Sequence, residues 1–406
     1  MPHRTWARWF ATKPSAPSAS PAEREARGKL RIGIPRILNL WSTHRFWLGF
    51  FDALGVPPQR LVFSSDTSEE QFREHGRGRG TVDCCWPVKC AAAHFGELMF
   101  GLKRKVDVLF VPLIYSLPSV LRGHAVDSLA CPRVMAGPEM ARAGFLREKD
   151  LFAEAGIRYV APFVTFAEPA LLPRQLHEAL EGMLPGLTPA ETEAAVAAGL
   201  AALERFDAGL RRRSREVLAR AAAADSPVIL VLARPYHMDP GIGHEIENDL
   251  QARGYPILWG QHLPTDADLM DWLFGEEVAA GLVRSPFDIS DVWPSSYSAN
   301  TNEILWGAKV AARLPWITGV VRLTSYECGM DQPTFTPVQG IVEHSGTLFF
   351  SFQELDATKP AGSVKIRVET IAHYLERASP GIIARKRALL PAACPLTPAT
   401  AQPAEL

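Results

Sequence analysis

The sequence predicts an α/β fold: two similar doubly wound parallel-sheet domains joined by a helical segment. Three observations carry that prediction. Short apolar, β-rich runs alternate with amphipathic stretches of helical period, the pattern of strand–helix–strand units. The same order of parts occurs twice, from residue 30 and again from residue 227. Each time a strand leads into a loop (Pro35-Arg36 or Arg234-Pro235), then a helix, a glycine stop (Gly55 or Gly254) and a further strand. Between the two copies, residues 168–226 are of another kind, with an Ala- and Arg-rich helical run over 191–220 and Pro189 near its start. The expected division is a disordered leader over 1–28, a first α/β domain over 29–167, a helical linker over 168–226, a second α/β domain over 227–377 and a disordered tail over 378–406.

In chain order, residues 30–34 read as a strand, and residues 45–54 as a helix ending at Gly55, with Ser42 or Thr43 as caps. Residues 61–64 are the next strand. A cysteine-rich turn follows, then a helix over 89–102, a buried strand over 107–113 and another over 158–163. In the second half, residues 228–233 form a strand, 234–243 a loop, 244–253 a helix and 256–259 a strand. Residues 318–324 form the last strand considered, with a turn over 325–329 and a helix over 332–342. The positive run Arg211-Arg212-Arg213 in the linker reads as a solvated face.

A length of 406 residues with a formal net charge of −1 leaves no electrostatic footprint for nucleic acid. No apolar run approaches the roughly 20 residues needed to cross a bilayer, and residues 1–28 contain no apolar core of a secretory signal. A cytoplasmic setting is therefore expected. There is no G-x-x-x-x-G-K-[ST] phosphate loop, and the glycines over 76–80 lack the rest of a dinucleotide fingerprint.

Six cysteines are too few for a disulfide scaffold, and clustered thiols in a reducing compartment point to metal or catalysis. Three of them, Cys84, Cys85 and Cys90, share one turn. Cys131 precedes Pro132, and Cys328 precedes Gly329. Pro87 and Pro132 suit a helix start, which places Cys85 and Cys131 just ahead of helices. Cys328 is placed the same way, and a helix dipole there is expected to lower its pKa. Cys85, Cys131 and Cys328 are the expected ligands of one cluster of the [4Fe–4S] type, with Cys84 or Cys90 as further thiols; three thiolates leave the fourth corner for another ligand. A zinc site is the weaker alternative because no paired C-x-x-C elements occur. A nucleophilic cysteine beside His94, His237 or His344 is another. Cys394, in the Pro/Ala-rich tail, reads as inert.

Arg234, Tyr236, His237 and Asp239, in a loop bounded by Pro235 and Pro240, are candidate cleft-lining residues for an anionic group. The alternative is that Arg234 simply pairs with Asp239 and His237 caps a helix. His244 reads as a cap neighbour. The polar and aromatic stretch over 293–300 could line the same cleft or pack in the core.

Ile34-Pro35-Arg36, Cys85-Trp86-Pro87-Val88-Lys89, Cys131-Pro132, Arg234-Pro235-Tyr236-His237, Asp239-Pro240, Cys328-Gly329-Met330-Asp331 and Glu354-Leu355-Asp356 occur in that order. Together they resemble the C-terminal, cluster-binding region of the large activators of 2-hydroxyacyl-CoA dehydratases. That region is itself similar to the dehydratase subunits and to double-cubane cluster proteins. The resemblance spans residues 29–376. It implies an oxygen-sensitive iron–sulfur protein that accepts low-potential electrons from an ATP-hydrolysing activase on a separate chain, for reduction or relay, with Cys85, Cys131 and Cys328 at the family's cluster positions. A dehydratase-like catalyst acting on a 2-hydroxyacyl-CoA is the alternative enzyme, and a metal-stabilised scaffold is the alternative without catalysis. An acyl-CoA substrate and a homo-oligomer are further expectations. The chain lacks the activase's nucleotide-binding half.

Overall fold

The computed structural model of the chain describes residues 19–80, 83–358 and 361–396. These residues divide into two compact units: unit 1 takes residues up to Leu117 and Ala130–Phe206, and unit 2 takes Pro118–Leu129 and everything from Asp207.

Unit 1 begins with α1 (Pro21–Lys29), β1 (Ile32–Ile34), α2 (Leu40–Ala53) and β2 (Leu61–Phe63). The short turns α3 (Glu69–Gln71), α4 (Trp86–Lys89) and α5 (Ala91–Gly96) follow. Next come β3 (Val108–Phe110), β4 (Leu113–Ser116), α6 (Pro132–Leu146), α7 (Leu151–Ala155), β5 (Arg158–Val160), β6 (Phe163–Thr165) and α8 (Leu172–Leu180). The 36-residue α9 (Pro189–Ala224) starts in unit 1 and ends in unit 2. Unit 2 continues with β7 (Val228–Leu232), α10 (Pro240–Gly243), α11 (Ile246–Gln251), β8 (Ile257–Trp259), α12 (Ala267–Ala279), α13 (Ala299–Arg313), β9 (Ile317–Ser325), α14 (Gln332–His344), β10 (Leu348–Leu355) and α15 (Ala361–Arg387).

Each unit is organised on one four-stranded, all-parallel sheet. The orders are β2-β1-β3-β5 and β8-β7-β9-β10, so the four strands of each sheet run second, first, third, fourth in chain order. The two units therefore share one doubly wound order, with a topological switch between the first and third strands. Parallel strands are covered on both faces, which is why β7 (VILVL) and β9 (ITGVVRLTS) are buried along their whole length. One face of the unit 2 sheet packs Leu230, Leu232, Val320 and Trp316; the other packs Ile229, Val231, Val321 and Leu323 against α15 residues such as Val368 and Leu375. In unit 1 the corresponding layer is aromatic. Phe46, Trp47, Phe50 and Phe51 lie on the buried face of α2, and both Trp47 and Phe51 meet Phe110 of β3 edge-on at 5.0 Å. Gly49 and Gly199 let α2 and the first half of α9 approach closely: a Cβ on Gly49 would come 2.8 Å from that of Ala202.

Several boundaries differ from those expected. The run over 107–113 splits into β3 and β4 around Val111-Pro112, and the run over 158–163 splits into β5 and β6; β4 and β6 pair in a separate two-stranded ribbon. The helix expected over 89–102 starts earlier, as α4 and α5, and stays helical through Gly101, widening over Glu97–Gly101; Gly96 lies within it, close against the backbone of His75. The helix expected from His244 starts at Ile246, since His244 and Glu245 both take left-handed backbone angles. Residues 168–226 form no separate linker: α8 packs Leu172, Leu176 and Leu180 inward within unit 1, and α9 is shared.

The termini are also more structured than a leader and a tail. Residues 1–18 and 397–406 lie outside the described residues. Within the stretch read as leader, α1 has a capping box between Ser20 and Glu23. It also carries a fully buried Arg27. The Arg27 guanidinium donates to Glu191 at 3.1 and 3.3 Å, to the Pro185 carbonyl at 2.8 Å and to the Leu54 carbonyl at 3.3 Å. Within the stretch read as tail, α15 runs on to Arg387 with Ile382 and Ile383 buried. Its Lys386 ammonium donates to the carbonyls of Ala311, Leu314 and Ile317 at 2.6, 3.3 and 2.7 Å. Cys394 packs against the unit 2 core. Composition suggested fraying at both ends; buried charge with fully matched acceptors overrides it.

Replacing Arg27 by Met leaves Glu191 only its longer ion pair with Arg24, at 3.8 Å, and takes a donor from the Pro185 and Leu54 carbonyls. Urea denaturation should show a loss of about 3 kcal/mol, within the usual range for breaking a buried ion pair.

Candidate functional site

The crevice outside the carboxyl ends of β7 and β9 is where a doubly wound sheet of this order binds ligands. In unit 2 the residues at that place form a buried charge centre. Arg234 follows β7, Arg322 lies within β9, and Asp331 is the N-cap of α14. All three are buried, at 1, 0 and 0 % exposure. Asp331 faces Arg234 side-on, with Nε donating at 3.2 and 3.3 Å and Nη2 at 2.9 Å. Arg322 Nη2 lies 3.4 Å from Asp331 Oδ1, and its Nη1 donates to the Leu232 carbonyl at 3.0 Å. Thr324 Oγ1 donates to Asp331 Oδ2 at 3.2 Å, and Arg234 Nη2 reaches Thr301 Oγ1 in the first turn of α13 at 3.4 Å. Thr301 in turn donates to the Ser298 hydroxyl at 3.0 Å, so the polar stretch before α13 is part of the centre.

Charge sets the protonation states here. Burial alone would push the Asp331 carboxyl up. The attraction of Arg234 and Arg322 outweighs it and holds the group well below the usual carboxylate range. Arg234 is likewise held above its ordinary value despite burial, chiefly by Asp331. His237 is pushed down to about 3 by burial and is neutral; its Nδ1 lies 3.2 Å from the Arg234 carbonyl and its Nε2 3.2 Å from Ser325 Oγ.

Arg234, Tyr236, His237 and Asp239, the candidate cleft-lining residues, are all buried. Arg234 pairs with Asp331 and not with Asp239. Asp239 caps α10 by accepting from the Gly241 N–H at 2.9 Å, and His237 caps no helix. Gly243 fits against the His237 carbonyl, where a Cβ has no room. His244 Nε2 lies 2.8 Å from the Asp356 carbonyl. The expected lowering of the Cys328 pKa is overturned: burial, and next the Asp331 carboxylate, push the thiol up, while Arg234 opposes them only in part. Cys328 sits in the turn before α14, and its N–H donates to the Ser325 carbonyl at 3.2 Å.

The thiols of unit 1 stand at helix starts, as expected. Cys85 is the N-cap of α4 and Cys131 that of α6, each with proline in the first turn. The two helices pack together at Gly137, where a Cβ would come 3.3 Å from Val88 and 3.0 Å from Leu38. Cys85 is buried and Cys131 half-buried. A small cavity lies where β1 and β3 end, lined by Pro35, Asn39, Val111, Pro112, Val134 and Pro138 among others; Val134 is one turn beyond Cys131. Cys84 is buried, and the buried Cys90 thiol donates to the Pro87 carbonyl at 3.2 Å. His94 is a buried neutral hub, pushed down to about 3 by burial, between Ser64 Oγ at 2.7 Å and Thr67 Oγ1 at 2.9 Å. His344 lies exposed at the end of α14. The sulfur donors suit a soft metal, yet among the described residues no group of three or more His, Cys, Asp or Glu side chains is set to hold a metal ion. Cys85 and Cys131 belong to unit 1, and Cys328 to unit 2.

Glu303, in the first turns of α13, was missed by sequence reasoning. Burial pushes its carboxyl up to about 7 against the hydrogen bonds of Ser119 and Asn300. A single Glu two positions past Thr301 gives no motif to find it by.

Two expectations follow. Asp331→Asn leaves two buried guanidiniums uncompensated and should lower stability by about 3–5 kcal/mol in urea denaturation. Because the folded Asp331 pKa lies below the unfolded value of about 4, its stabilisation is complete above that pH and is lost as pH falls further. The variant should therefore show less of that acid-dependent loss than the parent. Glu303 has the opposite sign. Its folded pKa exceeds the unfolded one, so stability falls as pH rises from about 4 through 7. Glu303→Gln should be more stable than the parent at pH 8, with the difference vanishing near pH 4.

Among the described residues no helix is long and apolar enough to cross a membrane. The chain matches no curated protein. Residues 31–263, more than half of its length, match the family described as CoA enzyme activase uncharacterised domain (DUF2229). That span holds the cysteine turn, Cys131 and the loop from Arg234 to Asp239, while Cys328 and Asp331 lie beyond it. The chain belongs to this CoA enzyme activase domain family.

Proposed function

We propose that the chain is an iron–sulfur component of a CoA enzyme activase system, taking low-potential electrons from a separate ATP-hydrolysing activase chain for reduction or relay. The observation that carries this reading is the pair of cysteines at the caps of α4 and α6. Pro87 and Pro132 stand in the first turns beyond them, and α4 and α6 pack directly on each other. Cys328 is proposed as a further thiolate ligand, and Cys84 or Cys90 as an additional one. A [4Fe–4S] cluster, when bound, supplies one-electron chemistry at low potential.

The chain's own residues contribute support around the thiols. Trp86 is buried and packs edge-on against Phe72 at 5.0 Å, covering the start of α4 with apolar surface. Lys89 closes the turn through an ion pair with Asp83 at 2.6 Å. Family membership supports the link to CoA-thioester chemistry.

Anaerobic purification with iron and sulfide assays, followed by EPR of the dithionite-reduced protein, tests the reading. About four iron and four sulfide per chain are expected. Cys85→Ala, Cys131→Ala and Cys328→Ala should each lose most of the iron, whereas Cys394→Ala should retain it. Protein that stays iron-free through anaerobic reconstitution ends the proposal. Full iron retention in Cys328→Ala removes that residue from the ligand set.

A further inference from the structure

The charge centre of unit 2 is out of balance. Two guanidiniums face one carboxylate, and Asp331 is the one carboxylate in ion-pair contact with either among the described residues. His237 is neutral and adds no charge. The polar atoms tell the same story: Arg234 Nη1 and Arg322 Nε and Nη2 are buried with no hydrogen-bond partner among the described residues. Buried guanidinium N–H groups are costly to leave unmatched.

The two orphans on Arg322 are neighbours. Nε and Nη2 form the side-on edge of a guanidinium, the edge that grips a carboxylate or phosphate with two parallel hydrogen bonds. Arg234 uses that same edge on Asp331. Arg322 brings Nη2 of this edge within 3.4 Å of Asp331 Oδ1, but makes no hydrogen bond along it.

The surroundings favour a negative guest. The centre lies at the carboxyl ends of β7 and β9, next to the switch in strand order. Thr301, which Arg234 touches, is in the first turn of the 15-residue α13, where the helix dipole is positive. The side chain of the N-cap Ser298 makes no capping hydrogen bond to that turn.

We infer that unit 2 carries a binding site for one small oxyanion, a phosphate or a carboxylate group, gripped by the Arg322 Nε/Nη2 edge with Arg234 Nη1 as a further donor. This site is independent of the iron–sulfur reading, because the anion is held by guanidinium groups alone.

The test uses the full-length, metal-free protein and follows thermal unfolding by tryptophan fluorescence. Inorganic phosphate and acetate are titrated separately at constant ionic strength, against chloride. One of the two should raise Tm saturably, by about 5 °C when present at 100 times its Kd, and the better probe identifies the group. Arg322→Lys keeps the charge and loses the side-on edge, so isothermal titration should show the affinity falling at least about tenfold. Arg322→Met removes the surplus charge and should abolish the response. A parent protein that responds to neither oxyanion beyond chloride overturns the inference. So does an Arg322→Lys variant that binds as tightly as the parent.

Discussion

One carboxylate, Asp331, is the shared counter-charge of two buried guanidiniums, Arg234 and Arg322. Its two oxygens gather the loop leaving β7, the body of β9 and, through Arg234 and Thr301, the first turn of α13. Because Asp331 also starts α14, the charge centre fixes where that helix begins. In a low-dielectric setting such a knot is rigid, since any member that leaves strands the others. The position of Cys328, three residues before Asp331 and bound by its backbone to Ser325, follows from this knot.

Much of the fold was legible because the parallel sheet imposes simple patterns. Val228–Leu232 is apolar at every position, as a strand covered on both faces must be. Helix stops at Gly55 and Gly254, both with left-handed backbone, stood out for the same reason. The repeated order of parts was readable, and the strand orders of the two sheets agree with it. Boundaries were less legible where backbone angles decide them. His244 and Glu245, both left-handed, delay α11 to Ile246, where periodicity alone would start it at His244.

The chemistry was less readable, because pairing across long sequence distances leaves no local trace. Arg234 was visible as a special loop residue, yet its partner is 97 positions away and the nearer Asp239 looked the natural match. The pKa of Cys328 was misjudged for a related reason: the position before a helix was readable, whereas burial and the neighbouring carboxylate were not. Cys85 and Cys131 were placed at helix starts correctly, since proline after an N-cap is a local signal.

The lysine near the end of α15 bears on how short the chain can be. Lys386 donates hydrogen bonds to three carbonyls where α13 ends and β9 begins, so the last helical turn acts as a plug over that stretch of backbone. Any shortened version of this protein that stops before that turn would open the base of the second sheet to water. That turn is thus part of what supports the second sheet, together with Ile383 before it and Leu396 beyond it in the apolar core.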